Sequence, residues 1–250
     1  MYKNKFLISV IGLFIIVSVL SAKDYQASMF GIKSDGMTLN TRSIQQAIDF
    51  ISEQGGGRLV FYVGRYLTGS VELKSNVVIR IEEGAVLVAV PSVYDFKGVE
   101  GHTALIYAEK QQNTGIGGKG VIEGNGDAVK ASVDEQMQKG YLKGDVSAYV
   151  PSLIYLKDCE NVQMEQLILQ HAGNTSIVYE NCRNVSLSDL IVNNQTTGKK
   201  AVSVSGCENL KMTNCYFDTT VTPLESTGDS QNLTFIKCIT PDGNPVSCDK

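Results

Sequence analysis

The chain has 250 residues, 43% of them hydrophobic, and a formal net charge of −4 at pH 7. This length and composition can supply one sizeable core, and elongated β folds of this length often form one domain. A mildly acidic chain without runs of basic residues lacks the positive surface that nucleic-acid binding needs, so we expect no nucleic-acid partner.

Residues 1–22 have the three parts of a secretory signal peptide. The positive start MYKNK precedes an apolar run of 15 residues, FLISVIGLFIIVSVL, and small residues follow at Ser21 and Ala22. This order predicts cleavage near Ala22 and export to the periplasm or the extracellular space. The alternative is an N-terminal membrane anchor, although the run is short for a spanning helix. Cleavage removes two lysines and no acid, which changes the net charge from −4 to −6 and leaves no membrane segment.

A helix is predicted at the front of the mature chain, in the segment NTRSIQQAIDFISEQGGG. Asn40 is placed to act as its N-cap and Gly55 to end it. The apolar residues that share one helical face are Ile44, Ala47, Ile48 and Ile51. The residues that follow alternate between apolar and polar, as β-strands do. We therefore expect this helix to cover the open edge of the first strands.

Four copies of a short repeat occupy the second half of the chain: DCENVQMEQLIL, NCRNVSLSDLIV, GCENLKMTNCYF and DSQNLTFIKCIT. Their aligned asparagines are separated by 23, 25 and 23 residues. These are Asn161, Asn184, Asn209 and Asn232, preceded in looser copies by Asn76 and Asn113. A period in this range indicates a solenoid, and each copy has room only for short strands. We predict an all-β fold, a parallel β-helix, that forms a single domain over residues 23–250.

Asparagine is suited to the corner of each turn of such a solenoid. It tolerates the left-handed backbone region, and its side chain can bond to the asparagine of the next turn. Residues 124–152 break the period. We expect them to form a loop that projects from the solenoid, with some helix between positions 129 and 139.

Five of the six cysteines fall at two repeat positions. The two sets are Cys159, Cys182 and Cys207, and Cys215 and Cys238. At the second position earlier copies have leucine, so these cysteines are most simply buried small hydrophobes. Cys248 stands near the end of the chain and could pair with Cys238 in a disulfide. The sequence has no CxxC and no HxxxH spacing, so it predicts no metal site and no cofactor.

Three kinds of segment occur in a fixed order: FGIKSDGMTLNTRSIQQAIDFISEQGGG, then LIYAEKQQNTGIGGKGVIEGNG, then the coils that begin at asparagine. This order, over most of residues 30–240, resembles glycoside hydrolase family 28, the polygalacturonases and related pectin hydrolases. The resemblance implies a right-handed parallel β-helix, export, a polyuronide or rhamnogalacturonan substrate and no metal requirement. It also implies hydrolysis with inversion, by acids in N-T-D and G-D-D motifs one coil apart, with G-H-G and R-I-K motifs downstream.

The chain departs from this pattern at all three acidic positions. Lys200 stands near the acid of N-T-D, while FDTTVTP replaces FDTGDD and puts Val221 and Thr222 where two acids belong. Both histidines lie upstream, and no R-I-K motif follows. Losing one positioned acid or base costs a rate factor on the order of 100 to 10,000. Asp218 and Glu225 flank the altered turn and are the acids best placed to substitute.

These observations leave four functions open. The first is an exported family-28-like protein that no longer hydrolyses its substrate, as a pseudoenzyme or a truncated product. The second is a binding protein for a pectin-type polyuronide or another polysaccharide. The third is an active glycosidase with relocated carboxylates, and the fourth is a structural or adhesive rod. We also expect self-association, because the segment TPDGNPVSCDK is a short cap for the last coil.

Overall fold

In the computed structural model, which describes residues 23–195 and 199–249, the chain winds as a right-handed parallel β-helix. Each turn of this helix, here called a coil, adds a short strand to three sheets. The prediction of an all-β parallel β-helix is therefore confirmed. The predicted signal peptide, residues 1–22, lies outside the described residues. Within those residues, no helix is long and apolar enough to cross a membrane.

The strands are short throughout. In chain order they are β1 (Asp24–Gln26), β2 (Asp35–Leu39), β3 (Gly57–Phe61), β4 (Gly64–Thr68), β5 (Val71–Glu72), β6 (Val77–Ile81), β7 (Ala85–Ala89), β8 (Lys97–Val99), β9 (His102–Glu109), β10 (Gln112–Gly118), β11 (Val121–Glu123), β12 (Ser152–Lys157), β13 (Glu160–Glu165), β14 (Ile168–Gln170), β15 (Ile177–Glu180), β16 (Arg183–Ser188), β17 (Ile191–Asn194), β18 (Val202–Ser205), β19 (Glu208–Thr213), β20 (Tyr216–Thr219), β21 (Leu224–Thr227), β22 (Gln231–Ile236) and β23 (Cys248–Asp249).

The strands form three parallel sheets around one core. Sheet 1 has the order β1-β3-β6-β10-β13-β16-β19-β22, sheet 2 the order β2-β4-β7-β11-β14-β17-β20, and sheet 3 the order β5-β9-β12-β15-β18-β21-β23. Strand β8 adds an antiparallel pair with β9. Equivalent apolar residues of successive coils stack inside the solenoid, as Val162, Val185 and Leu210 do in sheet 1. Each coil thus buries its inner side chains against its neighbours.

Helix α1 (Thr41–Glu53) confirms the predicted N-terminal helix, and all four residues of its predicted apolar face are buried. Asn40 precedes the helix, but its side chain makes no capping hydrogen bond. Its Oδ1 instead accepts from the Lys33 backbone N–H at 2.8 Å, and its Nδ2 donates to the Lys33 carbonyl at 2.9 Å. Asn40 is therefore the N-cap residue by position, as predicted, but its buried side-chain amide ties down the preceding loop instead of capping the helix. The helix ends at Glu53, two residues before Gly55.

The insertion contains the second helix, α2 (Gly126–Gln138), which begins a few residues before the predicted span. The described residues also contain three short 3₁₀-helices, at Ala27–Phe30, Val93–Asp95 and Val146–Ala148. Val133 and Val150 of the insertion form a small apolar cluster with Val93 of the solenoid, separate from the main core. The insertion is thereby packed against the outside of the solenoid.

The predicted asparagine corners are confirmed, and their side chains form a continuous ladder. Its members, Asn76, Asn113, Asn161, Asn184, Asn209 and Asn232, all have φ between 54° and 63°. From Asn113 onward each Nδ2 donates to the Oδ1 of the asparagine one coil earlier, at 2.9 to 3.1 Å. The ladder fixes the same backbone bend in every coil, and so it keeps the coils in register.

The repeat-position cysteines are buried thiols, as predicted. In the first set the Cys182 backbone N–H donates to the Cys207 Sγ at 3.3 Å, so sulfur atoms of neighbouring coils stack. Cys238 is also a free thiol, so the disulfide considered between Cys238 and Cys248 is absent from the structure. In the second set Cys215 and Cys238 fill the core position that Leu167 and Leu190 fill in earlier coils.

Replacing Asn184 tests the ladder. Asn184→Ala removes the bonds to both neighbouring asparagines and places a β-carbon at φ 54°. We expect it to lower the free energy of unfolding by about 2 kcal/mol, and Asn184→Gly by about 1 kcal/mol, because glycine keeps the left-handed backbone without strain.

The measurement is urea unfolding, with Ser186→Ala as the control on the exposed side of the same strand. The control should change stability by less than about 0.5 kcal/mol. Equal stability of Asn184→Ala and the control would contradict the ladder's role.

Candidate functional site

The outer face of sheet 3 is a regular surface of aligned side chains. Its first row consists of Tyr107, Tyr155, Val178, Ser203 and Glu225. Its second row consists of Glu109, Lys157, Glu180, Ser205 and Thr227. Side chains alternate along a strand, so these residues point away from the core while their neighbours point inward. Bulky residues lie toward the N-terminal coils, and the two serines leave a shallow floor between Glu180 and Glu225.

An imidazole, a phenol and a carboxylate meet on this face. The His102 ring stacks on the Tyr155 ring, with centroids 5.0 Å apart and an interplanar angle of 7°. The Tyr155 hydroxyl donates to Glu180 Oε2 at 2.8 Å, and His102 Nε2 lies 3.6 Å from Glu180 Oε1. Burial, followed by this hydrogen bond to the carboxylate, raises the pKa of Tyr155 far above its usual value. Tyr155 therefore stays protonated and holds the Glu180 carboxylate in one orientation.

An ion pair closes the N-terminal side of this centre. Lys157 Nζ donates to Glu100 Oε2, which ties β12 to the turn between β8 and β9. The hydrogen bond with Lys157 lowers the pKa of Glu100, and the same bond raises the pKa of Lys157. His102 lies two residues after Glu100, so the pair positions the turn that presents the imidazole.

Sequence reasoning did not single out Tyr155, Lys157, Glu180 or Glu100. The repeat could have identified Lys157 and Glu180, because they immediately precede the Asp158 and Asn181 corners of consecutive coils. Strand alternation places both outward. Glu100 and His102 belong to the β8–β9 hairpin, which lies outside the repeat, and no spacing rule connects them to Glu180.

The residues that the sequence resemblance predicts at the family's acidic positions lie in two neighbouring turns that lead into sheet 3. Lys200 comes shortly before β18, and Val221 and Thr222 come shortly before β21. The turns are stacked, because the backbone N–H groups of Ala201 and Val202 both donate to the Pro223 carbonyl, at 2.9 and 3.0 Å. The three residues therefore lie at one edge of the sheet 3 face. At that edge they offer an ammonium, an isopropyl group and a hydroxyl.

The two substitute acids, Asp218 and Glu225, lie on different sheets. Asp218 is in β20 of sheet 2, where its Oδ1 accepts from Gln195 Nε2 at 2.7 Å. Glu225 is in β21, in the first row of the sheet 3 face. The altered turn separates the two. The structure thus brings Glu225, and not Asp218, onto the face that carries Glu180.

A second polar cluster anchors the insertion at the edge of sheet 2. Gln170 Nε2 donates to Glu123 Oε2 at 2.7 Å, and the Asn125 backbone N–H donates to Oε1 at 3.0 Å. His171 Nδ1 lies 2.9 Å from Oε2. Burial opposes ionisation of Glu123, but these hydrogen bonds outweigh it and lower its pKa. The second histidine of the chain is therefore attached to the base of α2.

A cavity of about 410 Å³ lies between α2, the 145–150 segment and the turns of the solenoid. Its charged lining residues are Asp127, Lys130, Asp134, Asp145 and Lys199. Hydrogen bonds from the Ser147 hydroxyl and backbone N–H lower the pKa of Asp145. Among the residues described, no group of three or more histidine, cysteine, aspartate or glutamate side chains is placed to hold a metal ion. The charges that line the cavity nearly balance, three carboxylates against two ammonium groups.

The Glu123 cluster predicts a pH-dependent stability. A carboxylate whose pKa falls on folding stabilises the native state above its ordinary pKa of about 4.3, and this contribution disappears as pH falls through the lowered value. We expect Glu123→Gln to be less stable than the parent at pH 7, with a difference that shrinks below pH 4.5. Urea unfolding at several pH values measures this, with Glu160→Gln on the exposed face of sheet 1 as control. A pH-independent difference would contradict the assignment.

Comparison with known proteins identifies the family of the chain. The model of "Glycosyl hydrolases family 28" matches residues 63–247. The chain is 24% identical over 221 residues to the "Probable polygalacturonase" of Vitis vinifera, covering 80% of this chain and 43% of that protein. It is 25% identical over 244 residues to the exo-poly-alpha-D-galacturonosidase of Dickeya chrysanthemi, and the match covers 77% of this chain and 40% of that protein. The chain thus spans about two fifths of the length of these relatives.

Solved structures give the same result. A protein from Parabacteroides merdae ATCC 43184, provisionally described as a glycosyl hydrolase, is 64% identical with a TM-score of 0.88, covering 91% of this chain and 100% of that chain. The family 28 exopolygalacturonase of Yersinia enterocolitica is 21% identical, with a TM-score of 0.70, over 88% of this chain and 50% of that chain. This similarity shows that the two proteins share a fold. Because the family match extends over most of the chain, the protein belongs to glycosyl hydrolases family 28.

Proposed function

We propose that this chain is an exported family 28 protein that binds a pectin-type polyuronide on the outer face of sheet 3 without hydrolysing it. The observation that carries the proposal is which residues occupy the two stacked turns at the edge of that face. They present Lys200, Val221 and Thr222 where the family resemblance calls for three acids.

Inverting hydrolysis needs an acid that protonates the leaving oxygen and a base that activates water on the opposite side of the sugar. Valine has no exchangeable proton, and a threonine hydroxyl is a poor acid and a poor base near neutral pH. A lysine can act as a base only when its pKa is strongly lowered. With none of the three acids in place, the expected loss is at least the factor of about 100 to 10,000 that one positioned group supplies.

Binding is supported by the chemistry of the same face. The relatives from Vitis vinifera and Dickeya chrysanthemi are named for polygalacturonan cleavage, and we carry the polyuronide class over to this chain. Lys199 and Lys200 bring positive charge to the edge of the face, which suits a polymer that has a carboxylate on each unit. The shallow floor at Ser203 and Ser205 leaves room for a sugar beside the fixed Glu180 carboxylate.

A second candidate function is an active glycosidase with relocated carboxylates. The observation that favours it is the placement of Glu180 and Glu225 on one face, two coils apart. Two strand spacings and the two-residue offset between the rows separate their Cα atoms by about 12 Å, and glutamate side chains that turn toward each other can bring the carboxyl groups to the 6.5–9.5 Å of inverting enzymes. Asp218 does not share this face, so Glu180 is the better partner for Glu225.

The proposal predicts retention without cleavage for the purified mature chain, residues 23–250. Electrophoresis in a gel that contains polygalacturonate should retard it, and reducing-sugar assays should show no release above buffer. Lys200→Gln should weaken retention, because it removes a charge that faces the polyanion, while the exposed sheet 1 control Lys211→Gln should not.

Sugar release by the parent chain would contradict the proposal. Release that Glu225→Gln or Glu180→Gln abolishes, and Asp218→Asn leaves intact, would establish the second candidate. Export is tested separately by N-terminal sequencing of the secreted protein, which should begin close to Lys23.

A further inference from the structure

A second cavity, here called the cap-helix cavity, lies where α1 meets the N-terminal end of the sheet 3 face. Its volume is about 570 Å³, within the range of about 300–1,000 Å³ typical of small-ligand sites. Arg42, Gln45 and Asp49 reach it from α1, and Tyr94 and Tyr107 line it from the solenoid side. The spacing of three and four residues on α1 puts the three polar side chains on one helical face.

The polar wall of this cavity is held in place before any ligand binds. Gln45 Nε2 donates to Asp49 Oδ1 at 2.9 Å and to the Glu72 carbonyl at 3.1 Å. The Glu72 backbone N–H donates back to Gln45 Oε1 at 2.7 Å. Glu72 also forms an ion pair with Lys74 at 2.7 Å. Ordering the wall in advance lowers the entropic cost of binding.

Two aromatic rings provide the apolar part of the cavity. Tyr94 is 62% exposed, and its hydroxyl donates to Gln136 Oε1 of α2 at 3.1 Å, which fixes the ring. Tyr107 is half-buried, and within the described part of the chain its hydroxyl has no hydrogen-bond partner. Burial, and then the nearby Glu72 and Asp49 carboxylates, raise the pKa of Tyr107, so the hydroxyl remains a donor. Rings of this kind can pack on the C–H face of a pyranose, while the hydroxyl bonds to its oxygens.

Two cations in the cavity are not committed to partners. Among the described residues, the Arg42 guanidinium and the Lys97 ammonium make no ion pair and no side-chain hydrogen bond. Arg42 also lies in the first turn of α1, which contains no acidic residue, so the positive end of the helix dipole adds to its field. A guanidinium binds a carboxylate through two parallel hydrogen bonds. The carboxylates Asp49 and Asp95 can accept sugar hydroxyls.

We infer that the cap-helix cavity is a subsite for one carboxylated sugar unit, a uronosyl residue, with its carboxylate on Arg42 and its ring against Tyr94 and Tyr107. The inference extends the proposed polyuronide binding. Tyr107 pairs in register with Tyr155, and the first row continues to Glu225, about 19 Å away at the usual strand spacing. Tyr155 is fully buried under the His102 ring, so a polymer bound on the sheet 3 face would pass over the β8–β9 hairpin to reach the cavity.

The test is an NMR titration of the mature chain carrying ¹³C-labelled tyrosine, with sodium D-galacturonate, D-galactose or sodium chloride as the added solute. The Tyr94 and Tyr107 ring signals, assigned with Tyr94→Phe and Tyr107→Phe, should shift with galacturonate and much less with galactose or salt. Arg42→Gln should weaken galacturonate binding about tenfold, the loss expected for one charge-assisted contact. The matched control Arg183→Gln, on sheet 1, should leave the affinity unchanged.

Equal shifts with galacturonate and galactose, or equal affinity of Arg42→Gln and the control, would overturn the inference. The outcome is separable from that of the proposed function. If polygalacturonate retains the chain but galacturonate does not shift the Tyr94 and Tyr107 ring signals, the subsite is contradicted and the proposed function is not. A galacturonate response at these tyrosines without retention by the polymer would keep the subsite and remove the proposed function.

Discussion

The in-register stacking of coils is the constraint on which the rest of the structure depends. Each coil of the ladder bends at an asparagine with a left-handed backbone, and each amide from Asn113 to Asn232 bonds to the one before it. This repeated bend gives successive strands the same phase, so that inward residues meet inward residues. A coil out of register by one residue would expose its apolar side chains and break the rows of the sheet 3 face.

The chemistry of the outer face follows from that register. Tyr155 and Glu180 lie 25 residues apart in the chain but on adjacent strands, where the phenol fixes the carboxylate. The same register brings the turns with Lys200 and Val221 together at one edge. An ammonium and an apolar side chain therefore lie side by side in the turns where the sequence resemblance predicts paired acids. The proposal that the face binds a sugar polymer without cleaving it depends on this placement of the two turns.

Features that repeat or that have a helical period could be predicted from the sequence. The Asn184 corner, the buried face of α1 around Ile48 and the stacked thiol of Cys182 each follow from one position seen in several copies or several turns. Features that depend on a single long-range contact could not be predicted from the sequence. The Asn40 amide bonds to Lys33 and not to the helix, and the His102–Glu180 approach depends on a hairpin outside the repeat.

Calorimetric titration of a galacturonan oligomer into residues 23–250, followed by chain-length analysis of the recovered oligomer, tests the central claim most directly. Binding without hydrolysis predicts a saturable heat of binding and an oligomer of unchanged length after prolonged incubation. Shortened oligomers would show that the chain hydrolyses its substrate and would contradict the account. The absence of a binding heat would show that the sheet 3 face does not recognise a polyuronide.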